Sequence, residues 1–183
     1  TDPAQVTFTS SGTTGMITSR HLVTDVSLYE ESYRKGFSQF YGNIEDYVVL
    51  ALLPSYLERE GSSLIYMVED LIKLSNQPES GFYLHNHDDL IKKLLELDEA
   101  GQNVILIGVT YALLDLIEKY QFNLQNTIIM ETGGMKGKRK EMIREELHEI
   151  LCKGFGVSSI HSEYGMTELL AQAYSLGEGI FEC

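Results

Sequence analysis

The sequence predicts a doubly wound α/β fold, in which helices flank a mainly parallel sheet. Apolar runs of strand length alternate with amphipathic segments of about ten residues or more, which suit helices. Because these connections are long enough to cross over the sheet, successive strands are expected to be parallel. The runs at 46–54 and 103–109 are apolar almost throughout, as expected of strands covered on both faces.

The first half of the chain is predicted to alternate strand and helix three times. The helix that begins at Leu22 is predicted from apolar and aromatic residues, Val26 among them, that recur three and four positions apart. A serine at 62 or 63 is a good N-cap for the next helix, and Gly101 is a typical end for the third. In chain order the predicted elements are 5–9, 22–41, 46–54, 62–74, 81–84 and 88–100.

The second half is predicted to continue the same alternation. A strand at 103–109 and a helix at 111–120 are followed by a strand at 126–134, a helix at 140–153 and a strand with its turn at 157–165. The apolar stripe of the helix at 140–153 is expected to face the core. Its members are Met142, Ile143, Leu147, Ile150 and Leu151.

Composition restricts the class of protein. A chain of 183 residues with 43% hydrophobic residues suits one domain, or most of one, with a buried core. The net charge of −13 argues against binding to nucleic acid or to an anionic membrane surface. No apolar run approaches the roughly 18 residues of a membrane span, and two cysteines do not make a disulfide framework. These features favour a cytoplasmic protein.

The ends of the chain suggest a segment of a larger protein. It begins Thr-Asp-Pro rather than with methionine, and it stops at Cys183 directly after a stretch typical of a strand. We therefore expect residues 1–183 to form one domain fragment, with a C-terminal domain absent. The isolated fragment is expected to be inactive.

Ligands of doubly wound sheets collect beyond the carboxyl ends of the strands. This rule selects the loops at 10–15, 54–61, 109–111, 132–137 and 162–168 for inspection. The first follows the strand at 5–9 and has the sequence "FTSSGTTG" at 8–15. Hydroxyl groups and backbone N–H groups in such a loop suit phosphate oxygens, and glycines allow close approach. The residues concerned are Thr9, Ser10, Ser11, Gly12, Thr13, Thr14 and Gly15.

Taken alone, this loop is at least as well explained by an ordinary turn. It is not a P-loop, because no Lys-Ser or Lys-Thr pair follows Gly15.

Two further motifs stand at predicted strand ends. In "EYGMTE" at 163–168, Tyr164 offers a flat face, Thr167 a hydroxyl and Glu168 a hard oxygen ligand suited to Mg²⁺. In "METGG" at 130–134, Gly133 and Gly134 permit a flat backbone surface. A helix start explains the first of these equally well, and a simple turn the second.

Together, in this order, the three motifs resemble the adenylate-forming superfamily of acyl-CoA synthetases, peptide adenylation domains and luciferases. The resemblance implies a nucleotide site for ATP and Mg²⁺. It assigns the triphosphate to the loop from Thr9 to Gly15, the adenine side to Gly133 and Gly134, and Mg²⁺ to Glu168. It gives Thr167 and Glu168 catalytic roles, and makes Tyr164, Gly165 and Met166 part of the nucleotide-binding segment.

The flanking text is most similar to the LuxE-type acyl-protein synthetases, as in "LLPSYLEREGSSLIYMVEDLI" and "EYGMTELLAQAYSLGEGIFEC". This implies activation of a carboxylic acid, expected to be a long-chain fatty acid, as an acyl adenylate. It further implies transfer to a thiol acceptor, a protein cysteine or coenzyme A, and an acyl reductase as a partner. A CoA ligase of the phenylacetate type and a non-catalytic nucleotide-binding module are the alternatives.

Two departures from the superfamily pattern concern single residues. The usual lysine after the first loop is missing from "GMIT" at 15–18, and Arg20 is the substitute that we consider. Ser162 stands where an asparagine is common. Cys152 and Cys183 are interpreted as structural rather than as acyl acceptors.

Overall fold

The computed structural model of the chain describes residues 3–10, 19–54, 60–84, 86–135, 137–177 and 179–182. Two short 3₁₀ turns, Ile44–Asp46 and Thr167–Leu169, accompany the longer elements. The strands are β1 (Val6–Ser10), β2 (Ser19–Val23), β3 (Val48–Leu52), β4 (Gly81–Phe82), β5 (Val104–Val109), β6 (Thr127–Thr132), β7 (His161–Met166) and β8 (Ala171–Ser175). The helices are α1 (Ser27–Tyr41), α2 (Ser63–Ser75), α3 (His87–Glu99), α4 (Thr110–Lys119) and α5 (Arg144–Phe155).

The main sheet has six strands in the order β4-β3-β5-β6-β7-β8. Its first five strands are parallel, and β8 runs antiparallel to β7. Helices cover both faces. Ile105 and Ile107 line a small cavity together with residues of α1 and α2, whereas Gly108, which faces the other way, lies against Leu113 of α4. The predicted α/β class, with a mainly parallel sheet flanked by helices, is confirmed.

Local sequence accounts for several elements. Every residue of β3 and β5 is buried, as their apolar runs predicted. Ser62 caps α2 by accepting a hydrogen bond from the backbone N–H of Ile65, and Asn86 caps α3 in the same way. The termini of these helices lie within one or two residues of the predictions.

The predicted start of the first helix is wrong. Residues 19–23 form β2, which pairs antiparallel with β1 as a separate two-stranded sheet. Leu22, assigned to the helical stripe, is 68% exposed. The chain leaves the hairpin where Asp25 accepts a hydrogen bond from the backbone N–H of Ser27, and α1 begins there. Pairing with a partner strand therefore prevails over the local helical spacing.

The predicted helix at 140–153 also begins too early. It starts at Arg144, and Ile143 is 67% exposed, while Leu147 and Leu151 are buried as expected. Ile150, also assigned to the core, is exposed. In the preceding segment, which is not helical, the guanidinium of Arg139 donates hydrogen bonds to Asp115 and Glu118 of α4.

Asp98 ties the end of α3 to the start of β6. Its buried carboxylate accepts hydrogen bonds from the backbone N–H groups of Gln125 and Asn126 and from the hydroxyl of Thr127, at 2.8–3.2 Å. The amide of Asn126 returns a bond to the Asp98 carbonyl. This cluster fixes where β6 enters the sheet, and so where its carboxyl end emerges.

Candidate functional site

The strand that leads into the first motif ends beside α2. The Thr9 backbone N–H donates to the carbonyl of Gly61 at 2.8 Å, and the Thr9 hydroxyl donates to the carbonyl of Glu60 at 2.8 Å. Arg20 lies opposite Thr9 in the hairpin and is exposed. The predicted phosphate-binding residues Ser11, Gly12, Thr13, Thr14 and Gly15, and the side chain of Ser10, lie outside the described residues.

The second motif, "EYGMTE", also contacts the start of α2. Thr167 opens the 3₁₀ turn after β7, and its Oγ1 lies 2.8 Å from Oγ of Ser63, the first residue of α2. Because Ser62 and Ser63 follow directly on Gly61, this hydrogen bond brings Thr167 to the end of β1. Glu168 follows on the exposed side of the turn. Thr9 of the first motif and Thr167 of the second, 158 positions apart in the sequence, thus both contact the segment at 60–63 where one helix begins.

Gly133 and Gly134 follow β6 and border a cleft of about 390 Å³. Both have left-handed backbone angles, φ 75° and 67°, which glycine adopts without strain. Tyr164 lines the same cleft with its ring 55% exposed, and Phe181 meets that ring edge-on with the centroids 6.1 Å apart. The Gly-Gly loop and the aromatic residue of the motif therefore share one cleft, as expected if both serve one ligand.

Polar side chains that the motif analysis did not select lie beneath this cleft. They belong to the end of β6, to the first half of β7 and to the first residue of α4, and they are buried. The sequence contains a hint of two of these residues, because Glu131 interrupts the apolar run "TIIMET" and Glu163 directly precedes the tyrosine of the second motif. The residues concerned are Thr110, Glu131, Thr132, Ser162 and Glu163.

Glu131 is held as a carboxylate. Its Oε1 accepts a hydrogen bond from Ser162 at 2.7 Å and its Oε2 accepts one from Thr110 at 3.1 Å. Nε2 of His148 lies 3.7 Å from Oε1, at ion-pair rather than hydrogen-bond distance. Burial acts to raise the pKa of Glu131, but His148, Ser162 and Thr110 together lower it below its ordinary value. The Ser162 hydroxyl therefore donates its hydrogen bond to Glu131 beneath the cleft.

The pKa of Glu163 is shifted in the opposite direction from that of Glu131. It is 5% exposed, and its Oε2 accepts a hydrogen bond from the Thr132 hydroxyl at 2.6 Å. Its Oε1 is buried and has no hydrogen-bond partner among the described residues. Burial raises the pKa of Glu163 to about 7, against the lowering effect of Thr132 and with a further rise from the charge of Glu131. The neighbouring strands β6 and β7 therefore carry one carboxylate, Glu131, and one carboxyl, Glu163, whose pKa is raised by burial.

The glycine of the second motif has a packing role. A Cβ on Gly165 would lie 2.9 Å from Nε2 of Gln172 and 3.1 Å from Oε1 of Glu163. Only a residue without a side chain lets these two groups lie beside the strand. Met166, also assigned to the site, ends β7 and is half-buried.

Folding stability should depend on pH through Glu163. A carboxyl whose pKa is raised on folding contributes stability at low pH and loses it as pH rises through the folded value. Relative to Glu163→Gln, the wild-type chain should lose about 2 kcal/mol of unfolding free energy between about pH 5 and pH 7. Denaturant melts at several pH values measure this difference.

The control for that measurement is Glu99→Gln, which changes an exposed carboxyl at the end of α3. It should keep the wild-type pH dependence. Parallel pH curves for wild type and Glu163→Gln would contradict the assignment of the proton to Glu163.

Glu168 is the carboxylate that the resemblance assigns to a magnesium ion. Within the described ranges there is no group of three or more His, Cys, Asp or Glu side chains that could hold a metal. Mg²⁺ bound with a nucleotide takes most of its ligands from phosphates and water, together with one or two carboxylates. Glu168, exposed beside Thr167, fits that role.

Two other properties of the described residues bear on function. None of the helices in these ranges is both long and apolar enough to cross a bilayer. Burial raises the pKa of the Cys152 thiol, which disfavours the thiolate form that accepts an acyl group. Cys183 lies outside the described residues.

Comparison with known proteins gives a likeness in structure. No protein-family model and no curated protein matches the chain. Among solved structures, the chain is similar to the R395G mutant of coronafacic acid ligase from Pectobacterium brasiliense, with a TM-score of 0.43 and 20% sequence identity. The match covers 70% of this chain and 24% of the ligase, so the chain spans about a quarter of that protein's length.

Proposed function

We propose that the chain is the nucleotide-binding part of an enzyme that activates a carboxylic acid with ATP. The observation that carries this proposal is the hydrogen bond between Thr167 and Ser63. It joins the "YGMTE" motif to the helix that begins beside the end of β1, directly before the "SSGTTG" loop. A site that must grip a triphosphate at one end and a base at the other requires this convergence.

In this proposal the substrate carboxylate attacks the α-phosphorus of ATP, pyrophosphate leaves, and the acyl group passes from the acyl adenylate to a thiol. The hydroxyl of Thr167, held by Ser63, contacts a phosphate oxygen, and Arg20 replaces the missing lysine. The half-exposed ring of Tyr164 and the backbone of Gly133 and Gly134 hold adenine in the cleft. Glu168 would hold Mg²⁺, which would supply positive charge against the phosphates. Residues 1–183 are then the central part of an adenylating domain.

The finer proposal is a cytoplasmic acyl-protein synthetase of the LuxE type. It is supported by the sequence that flanks the motifs. The acid is a long-chain fatty acid and the acceptor is a cysteine thiol. An acyl reductase is the partner protein, which either carries that thiol or receives the acyl group from it. Coenzyme A is the competing acceptor.

Exchange of labelled pyrophosphate into ATP tests the proposal in the full-length protein. The assay compares fatty acids of increasing chain length with phenylacetate, and thiol transfer is then followed with coenzyme A and with protein thiols. Exchange that requires a fatty acid supports acyl activation, and transfer to protein alone supports the LuxE type. Binding of ATP without exchange for any acid would instead indicate a non-catalytic nucleotide-binding module.

A further inference from the structure

Two buried oxygen atoms that border the same glycine have no hydrogen-bond partners among the described residues. They are Oε1 of Glu163 and Oε1 of Gln172. Both lie 3.1 Å from the position that a Cβ on Gly165 would occupy. Each is an acceptor in its usual form, so neither can satisfy the other when Glu163 is ionised. A single proton carried by Oε1 of Glu163 and donated to Oε1 of Gln172 would satisfy both atoms.

A line of hydrogen bonds leads from Gln172 to the second motif. Nε2 of Gln172 donates to the hydroxyl of Tyr29 at 3.0 Å. That hydroxyl donates to the carbonyl of Ser63 at 3.1 Å, and Oγ of Ser63 lies 2.8 Å from Oγ1 of Thr167. The line crosses from β8 through α1 and the start of α2 to the 3₁₀ turn. It connects the interior of the sheet with the surface where the motifs meet.

We propose that Glu163 is a positioning residue: it holds a proton that it shares with Gln172, and through Tyr29 and Ser63 this proton sets the position of the Thr167 hydroxyl. When the proton is lost, the Gln172 amide must turn to present its N–H to the carboxylate. Tyr29 then loses the donor that orients its hydroxyl, and the bond to Ser63 changes with it. What Thr167 does to a phosphate rests on the proposed function, whereas the linkage itself does not.

The surroundings allow this proton to exchange near neutral pH. Burial raises the pKa of Glu163 to about 7. The hydrogen bond from Thr132 acts to lower this pKa, and the negative charge of Glu131 acts to raise it further. Burial also raises the pKa of Tyr29, so this hydroxyl stays protonated throughout that range. The titratable groups that face Glu163 or its hydrogen-bond partners are Tyr29 of α1, Tyr66 of α2, Glu131 of β6, His161 of β7 and Tyr174 of β8.

Threonine methyl groups at both ends of the line allow a direct test by NMR. Thr132 contacts Glu163 and is the near reporter, while Thr167 is the far reporter. In the chain labelled with ¹³C at threonine methyl groups, both resonances should move with pH and share a midpoint near 7. In Glu163→Gln, neither should show that transition. Thr132→Ser and Thr167→Ser assign the two signals.

Tyr29→Phe is the matched variant, since it removes one hydroxyl and keeps the ring that packs in the core. The Thr132 methyl should still titrate in this variant, and the Thr167 methyl should not. A Thr167 signal that is independent of pH in the wild type would overturn the proposal. So would a Thr167 titration that persists unchanged in Tyr29→Phe.

Pyrophosphate exchange in the full-length protein is measured separately. If exchange occurs, its rate should fall above about pH 7 in the wild type, and Glu163→Gln should flatten that decline. An unchanged decline in Glu163→Gln would refute the role of Glu163 in positioning Thr167 for the reaction. Absence of exchange with every acid would refute the proposed function, while the two methyl titrations would still decide whether the linkage exists.

Discussion

Replacement of Glu168 by glutamine should lower Mg²⁺-dependent pyrophosphate exchange in the full-length protein by roughly 100-fold or more. The amide keeps the size of the side chain and removes the negative charge that a hard cation requires. Because Glu168 is exposed on the 3₁₀ turn, the substitution should leave folding almost unchanged. The loss should therefore appear in activity and in the dependence on magnesium concentration, not in the melting temperature.

Glu149→Gln on the exposed side of α5 is the control for this variant and should retain wild-type exchange. A partial recovery of Glu168→Gln at high magnesium would fit weakened metal binding. Exchange by Glu168→Gln at the wild-type rate, with the same magnesium dependence, would remove Glu168 from the site.

Replacement of Asp98 by alanine should destabilise the chain by about 3 kcal/mol. The carboxylate is buried and satisfies two backbone N–H groups and the Thr127 hydroxyl, all of which lose their acceptor in the variant. Such a loss corresponds to a fall of roughly 6–12 °C in melting temperature for a chain of this size. Thermal and denaturant unfolding of the chain measure the effect.

Glu99→Ala changes the adjacent carboxylate, which is exposed at the same helix end, and should alter stability by no more than about 0.5 kcal/mol. The stability of Asp98→Asn should lie between those of Asp98→Ala and Glu99→Ala. The asparagine amide still accepts hydrogen bonds through its oxygen, but its NH₂ group faces donors at the start of β6. Equal stability of Asp98→Ala and Glu99→Ala would show that the cluster does not hold β6 in place.

Local patterns predicted the elements whose burial, capping or turn depends on residues within the element itself. The apolar runs of β3 and β5, the Ser62 cap of α2 and the paired glycines after β6 follow from burial, capping and backbone freedom. The hairpin of β1 and β2 and the antiparallel strand β8 were missed. Residues 19–23 and 171–175 form strands because β1 and β7, which lie close to them in sequence, offer backbone partners, and the spacing of apolar residues does not record that pairing.

The same division applies to the site. The sequence by itself determined the α/β class and the motif residues at the strand ends, including Thr167, Glu168, Gly133 and Gly134. Only the tertiary structure decided that Ser63 meets Thr167 and that Glu163 lies buried beside Gln172. The physical reason is that a hydrogen bond, or a pKa raised by burial, depends on which groups the sheet order brings together. That order is set by pairing and packing between segments far apart in the chain.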